Sequence, residues 1–306
     1  MFGISFNAQS EKTEKYTQSA QHIVLPNNAS AQINIKIFDF QPPIIDFSRI
    51  DKHIFTKVVE DEKILKAVGD REYLKTYRED QDGNIRANRV DFEPIVGRLV
   101  DVKSLPLYGK TIIVNAGHGY YKEENGEIAV DTGTKTNGKA PEWIVNYDNS
   151  MLLINRLREL GAKVIYIQGA MREQHNTVKI ELEEMKEFGK INPDMFISLH
   201  INSLSDNTTH HGSEVFTTAI SNDSSKTFRE NIKSNLQKNG YKVASKSRDL
   251  GALNSSIENF DIPSVLFEYD FISSPVGREK VYNPDEREKY ADVLTKSILS
   301  YFGVEE

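Results

Sequence analysis

Thr111-Ile112-Ile113-Val114-Asn115-Ala116-Gly117-His118-Gly119 and Met195-Phe196-Ile197-Ser198-Leu199-His200-Ile201-Asn202 are the stretches whose reading decides the fold. Each is an apolar run of strand length that ends at or beside a histidine. A strand with one face in water alternates apolar and polar residues, whereas runs this continuously apolar belong to strands covered on both faces. Further strands read at Lys163–Gln168, Ser213–Thr217 and Ser264–Tyr269. Between them, helical spacing covers about Ile144–Leu160, Thr177–Gly189, Ser224–Asn239 and Pro284–Phe302, and Gly161 and Gly240 stand where helices end. This alternation predicts an α/β fold, a twisted and mostly parallel sheet with helices on both faces.

Upstream the pattern changes. Residues 1–106 read as a smaller N-terminal accessory region, and residues 107–306 as the main domain, with Pro106 and Gly109 bracketing the boundary. The chain to Ala20 is polar. Ile33, Ile35 and Ile37 then alternate with polar residues as in a strand, and Pro42-Pro43 breaks the run. Ile54, Val58, Leu65, Val68 and Leu74 recur at roughly helical spacing between Asp51 and Arg78.

Composition narrows the chemistry. A chain of 306 residues with 38% hydrophobic content is long enough for one large α/β domain and an accessory unit. The net charge of −7 is spread along the sequence and speaks against nucleic acid as a partner. No apolar run reaches membrane-spanning length. With no cysteine, thiol nucleophiles, cysteine–zinc sites and disulfides are excluded. The first ten residues, Met1 to Ser10, lack the basic and apolar regions of a secretory signal, so either delivery uses another route, an export system or a phage, or a leader has been removed.

Ligands of open α/β sheets gather beyond the carboxyl ends of the strands. His118 follows the first strong strand, His200 ends the third, and Glu268 lies late in the last, so all three are expected at one rim. Two imidazoles and a carboxylate are a common ligand set for catalytic zinc, and a further carboxylate beside such a site suits the activation of water. Glu142 is either the third ligand or a carboxylate placed favourably at a helix N-terminus. Val265, Leu266 and Phe267 predict burial for Glu268, which must then be paired, metal-linked or catalytic, because a lone buried charge is costly. Asn202 is a strand-end residue or a substrate contact. Tyr120, Tyr121 and Trp143 either stack on substrate or clamp the loop from Gly119 to Ala140. Gly133-Thr134-Lys135-Thr136-Asn137-Gly138-Lys139-Ala140 nearly spells a phosphate-binding loop, but Ala140 replaces the hydroxyl that such a loop needs, and it reads as a polar surface loop. His22, His53, His175 and His210-His211 are not expected to bind metal.

These motifs together resemble the zinc-dependent N-acetylmuramoyl-L-alanine amidases of the type 3 family. The carrying residues are Val114–Gly119, Glu142, Phe196–Asn202, Gly212–Phe216, Leu250–Leu253 and Pro263–Ser273, in matching order from about Lys110 to Phe302. The resemblance implies one zinc ion held by His118, Glu142 and His200, and Glu268 as the catalytic carboxylate. It implies a peptidoglycan hydrolase that cleaves the amide between the muramic acid lactyl group and L-alanine. The place of work is then the periplasm, the cell wall or the medium. Asn115, Tyr120 and Asn202 are the residues expected to meet substrate, and residues 1–106 are a candidate protein-docking region. Two other readings compete: a zinc peptidase or carboxypeptidase acting on stem peptides, and a non-catalytic wall-binding module on the same scaffold. The chain departs from the family's pattern in places. Asn115 stands where aspartate is usual, and Gln168-Gly169-Ala170-Met171-Arg172 stands where a threonine–arginine pair is usual.

Overall fold

The structure, a computed structural model, describes residues 54–96, 101–136, 138–172, 175–188, 191–204 and 208–304. The alternating segment Ile33 to Ile37 lies outside them. The described chain begins with strand β1 (Ile54–Val58), helix α1 (Glu62–Val68) and strands β2 (Thr76–Asp80) and β3 (Ile85–Arg86), which build a small antiparallel sheet in the order β1-β2-β3. The single helix expected between Asp51 and Arg78 is therefore corrected to a strand, a short helix and a strand. β-branched Ile54, Thr56 and Val58 favour extended backbone. Asp61 then caps α1 through Lys63 N at 2.7 Å, and the helix stops at Gly69.

A seven-stranded sheet forms the centre. Its members are β4 (Asn88–Phe92), β5 (Thr111–Gly117), β8 (Lys163–Gly169), β11 (Met195–Asn202), β12 (Ser213–Thr217), β13 (Val243–Ser247) and β14 (Ser264–Phe271). The strand order is β13-β12-β14-β11-β5-β8-β4. The four central strands, β14, β11, β5 and β8, run parallel, while β4 pairs antiparallel to β8 and β12 antiparallel to β14. The sheet is mostly parallel, as expected, with four parallel pairings of six, and the antiparallel pairs β4–β8 and β12–β14 flank its parallel centre. Strand β4 comes from before Pro106, so the sheet draws on the chain on either side of that position.

Helices α2 (Glu142–Glu159), α4 (Asp223–Lys238) and α7 (Pro284–Tyr301) cover one face; α3 (Thr177–Glu187) and α5 (Gly251–Phe260) cover the other. Val114, Ile197, Val265 and Phe267 pack toward the first group, and Ile113, Ile165, Phe196 and Leu266 toward the second. This double burial accounts for the continuous apolar runs. Helix α6 (Pro275–Tyr282) follows β14 at the carboxyl end of the sheet. Two hairpins decorate the same rim: β6 (Gly119–Lys122) with β7 (Ile128–Asp131), and β9 (Met171–Arg172) with β10 (His175–Asn176). Sequence periodicity had offered no hint of β13, α5 or α6, which are short or polar. No described helix is long and apolar enough to cross a membrane.

Candidate metal centre

Parallel pairing sets the first part of the site. His200 and Glu268 are register partners on β11 and β14, so their side chains leave the sheet on the same face, one strand spacing apart. The His200 ring lies across Gly117 at the end of β5, where a Cβ would come within 2.1 Å of the imidazole. Gly117 therefore makes room for a protein side chain. His118, the next residue, has φ +67°, a left-handed conformation that a non-glycine residue adopts only when its surroundings hold it there. That turn swings its ring to His200, with centroids 5.0 Å apart and planes at 72°.

Glu142 completes the cluster from the first turn of α2. Its Oε1 lies 3.2 Å from His118 Nε2 and 3.1 Å from His200 Nδ1. The ligand atoms of His118, Glu142 and His200 all fall within 4.8 Å of one another. Among the described residues this is the one such group of three. The carboxylate is buried and fixed from several sides: Ile201 N donates to Oε1 at 2.9 Å, and Thr134 N donates to Oε2 at 2.8 Å. Asn146, one turn along α2, reaches Gly117 O at 3.2 Å and steadies the junction of helix and strand.

Residues that sequence reasoning overlooked build the next layer. Asp131 Oδ2 lies 3.0 Å from His118 Nδ1. A carboxylate only accepts, so Nδ1 carries the proton there and Nε2 faces the cluster. The polar loop after β7 is not merely surface: Gly133 has φ +62°, and a Cβ on it would lie 2.5 Å from Glu142 Oε2. Asp131 gave little signal because its link to His118 is a hairpin pairing, Gly119 opposite Asp131, across twelve residues of mixed composition.

The electrostatics fit a cation. Burial opposes charge on His118, yet Glu142 and Asp131 outweigh it and push its pKa up to about 10. Burial likewise opposes ionisation of Glu142, but the two imidazoles hold its carboxyl well below the usual range. His200 is lowered by burial and by the positive charge on His118, against the pull of Glu142. The cluster thus carries one positive charge on its two rings beside an ionised carboxylate, a charge that a divalent ion would replace with both rings neutral. Two imidazole nitrogens and a carboxylate oxygen, with a second carboxylate supporting one ring, match the donor chemistry of zinc.

Glu268 stands beside this group. Its Oε2 is buried and has no hydrogen-bond partner among the described residues. Burial, reinforced by the charges of Glu142 and Glu214, raises its pKa well above the usual value, with His118 and Arg248 pulling the other way. Glu214 pairs with Glu268 in register from β12. Asn202 donates to Glu214 Oε2 at 2.8 Å and accepts from Ser203 N at 2.9 Å, so its amide braces the strand end next to His200.

The remaining sequence candidates lie elsewhere. Asn115 is fully buried inside the sheet, accepting from Ser198 Oγ at 2.6 Å and donating to Ile167 O at 3.0 Å. Tyr120 is buried too; its hydroxyl donates to Leu74 O and its ring meets Trp143 edge-on at 5.7 Å. Both are residues expected to meet substrate; here they are buried, and their polar atoms bond within the protein. Trp143 and Tyr121 are buried as well. His175 stacks beside Tyr121, and His210 packs edge-on against Phe271. His22 and His53 lie outside the described residues.

Comparison with known proteins gives a consistent result. The profile of the family described as N-acetylmuramoyl-L-alanine amidase matches residues 112–300. The uncharacterized protein YqiI of Bacillus subtilis (strain 168) is 29% identical over 202 residues, covering 64% of this chain and 87% of YqiI. The germination-specific N-acetylmuramoyl-L-alanine amidase of the same organism is 24% identical over 208 residues, covering 65% of this chain and 82% of that protein. The crystal structure of N-acetylmuramoyl-L-alanine amidase from Clostridium difficile 630 shares the fold, with a TM-score of 0.50 at 19% identity over 64% of this chain and 98% of that one.

Proposed function

The chain belongs to the N-acetylmuramoyl-L-alanine amidase family, and from that premise we propose that it is a zinc-dependent peptidoglycan hydrolase in which His118, Glu142 and His200 hold the metal and Glu268 is the catalytic carboxylate. The observation that carries this reading is the convergence of the three ligand atoms within 4.8 Å, with His200 and Glu268 in register on adjacent strands. The bond cleaved is the amide between the lactyl group of N-acetylmuramic acid and L-alanine. The reaction takes place where peptidoglycan is exposed, outside the cytoplasmic membrane.

A zinc ion bound there supplies Lewis acidity, lowering the pKa of a water to about 7 and polarising an amide carbonyl. The protein's own groups do the rest. His118 Nε2, His200 Nδ1 and Glu142 Oε1 face the metal position, and Asp131 keeps the proton of His118 on Nδ1. Glu142 stays ionised and offsets part of the ion's charge. Glu268, its proton affinity raised by burial, accepts a proton from the attacking water and passes it to the leaving nitrogen of the stem peptide. Both transfers use the one carboxylate.

Metal analysis of the purified protein, joined to mass spectrometry of digested peptidoglycan, tests the proposal. The expected result is one zinc per chain, a new L-alanine amino terminus and intact muramic acid. A cut inside the stem peptide would assign a peptidase instead, and binding to sacculi without released products would assign a wall-binding module.

A further inference from the structure

The two candidate metal-binding rings are supported unequally. His118 has the carboxylate of Asp131 behind it, a charged acceptor at 3.0 Å. His200 has a thioether: Met171 Sδ lies 3.3 Å from Nε2, on the ring edge opposite the one facing Glu142. Thioether sulphur is a soft, weak acceptor. Ligating histidines ordinarily give their second N–H to a carboxylate, a backbone carbonyl or water.

Met171 is held where it is by its surroundings. It pairs with Asn176 across the β9–β10 hairpin, and the Asn176 side chain accepts from Lys179 N at 2.9 Å to cap α3. Thr177 N donates to Ala170 O at 3.0 Å on the preceding side. Its side chain packs on the core cluster that contains Ile113 and Ile167. The sulphur is therefore held against the ring by the β9–β10 pairing and by core packing, in the segment where the chain departs from its family's usual sequence.

We propose that Met171 is a positioning residue for His200, accepting the Nε2 proton so that Nδ1 is presented to the metal while the ring remains a neutral, weakly polarised ligand. The inference rests on the zinc reading above. With Nδ1 given to the metal, the proton of neutral imidazole resides on Nε2, and sulphur is what it meets there. One ring backed by a carboxylate and one by a thioether make an uneven pair of ligands. The His118 side donates strongly, and the His200 side leaves more of the ion's charge to act on water and carbonyl.

The test measures zinc affinity, by competition with a chromophoric chelator, for the full-length wild type, Met171→Leu and Met171→Gln. Leucine keeps the bulk and removes the acceptor, whereas glutamine supplies a stronger one. Expected are a loss of about 10-fold for Met171→Leu and an affinity at or above wild type for Met171→Gln. The absorption spectrum of the cobalt-substituted protein should shift in both variants, a change that packing alone does not produce. Equal zinc affinity in wild type and Met171→Leu overturns the proposal, as does a glutamine variant as weak as the leucine one. A wild type that takes up no zinc is a separate result; it overturns the metal reading itself and this inference with it.

Discussion

His118 is the residue on which the site turns, because its backbone, ring and proton are each fixed by a different neighbour. In the metal-free chain its pKa rises from an ordinary 6.5 to about 10, through Glu142 and Asp131 acting against burial. A raised imidazole pKa adds stability that is complete below about 6.5 and is lost as pH climbs through about 10. Zinc requires Nε2 without its proton, so metal uptake near neutrality should release one proton, and affinity should rise with pH toward that upper value. A dye-monitored titration in weak buffer reads this directly; zinc uptake with no acidification contradicts it. Substitution separates the other roles. His118→Ala and His200→Ala should purify without zinc, while Glu268→Gln should keep zinc and lose hydrolysis by about 10²- to 10⁴-fold. Full turnover by the glutamine variant would remove Glu268 from the mechanism.

At the scale of elements, the site is assembled by strand ends and a helix start that meet at one rim. Strand β5 delivers His118, β11 delivers His200, β14 delivers Glu268, and the first turn of α2 delivers Glu142. The β6–β7 hairpin returns Asp131 to His118 and continues into Gly133, which presses against both Glu142 and His118. Gly133→Ala would put a methyl group 2.6 Å from His118 Cδ2 at a left-handed φ of +62°. Zinc affinity should fall by about 10-fold or more as the carboxylate is displaced, with about 1–2 kcal/mol of backbone strain besides. Equilibrium dialysis against zinc and a denaturant titration measure the two effects; an alanine variant with unchanged affinity would show that this loop does not shape the ligand set.

At the scale of the whole molecule, the described residues from Ile54 to Phe92 are tied to the main sheet. Glu181 on α3 is buried between Arg78 of β2 at 3.1 Å and Arg89 of β4 at 3.2 Å. Removing that carboxylate in Glu181→Ala takes the carboxylate from buried Arg78, while Arg89 keeps Asp91 at 2.8 Å, and should cost about 3 kcal/mol in a urea titration; a loss below about 1 kcal/mol would mean that Arg78 finds another acceptor. How much was legible in advance depends on range. Strands β5, β8, β11, β12 and β14 and helices α2, α3, α4 and α7 could be read from the sequence, because burial on both faces and helical amphipathicity leave local marks. His118, His200 and Glu268 could be placed at one rim, because the carboxyl ends of parallel strands are a topological address. The conformation of β1 to β4, the place of Asp131 and Gly133, and the withdrawal of Asn115 and Tyr120 into the core left no such mark. The linear order of residues determined which strands are buried and which side chains stand at their ends, since periodicity and composition act over a few neighbours. Only the tertiary structure decided which imidazole edge faces Glu142 and what lies behind each ring, because those are pairings between segments that no local pattern encodes.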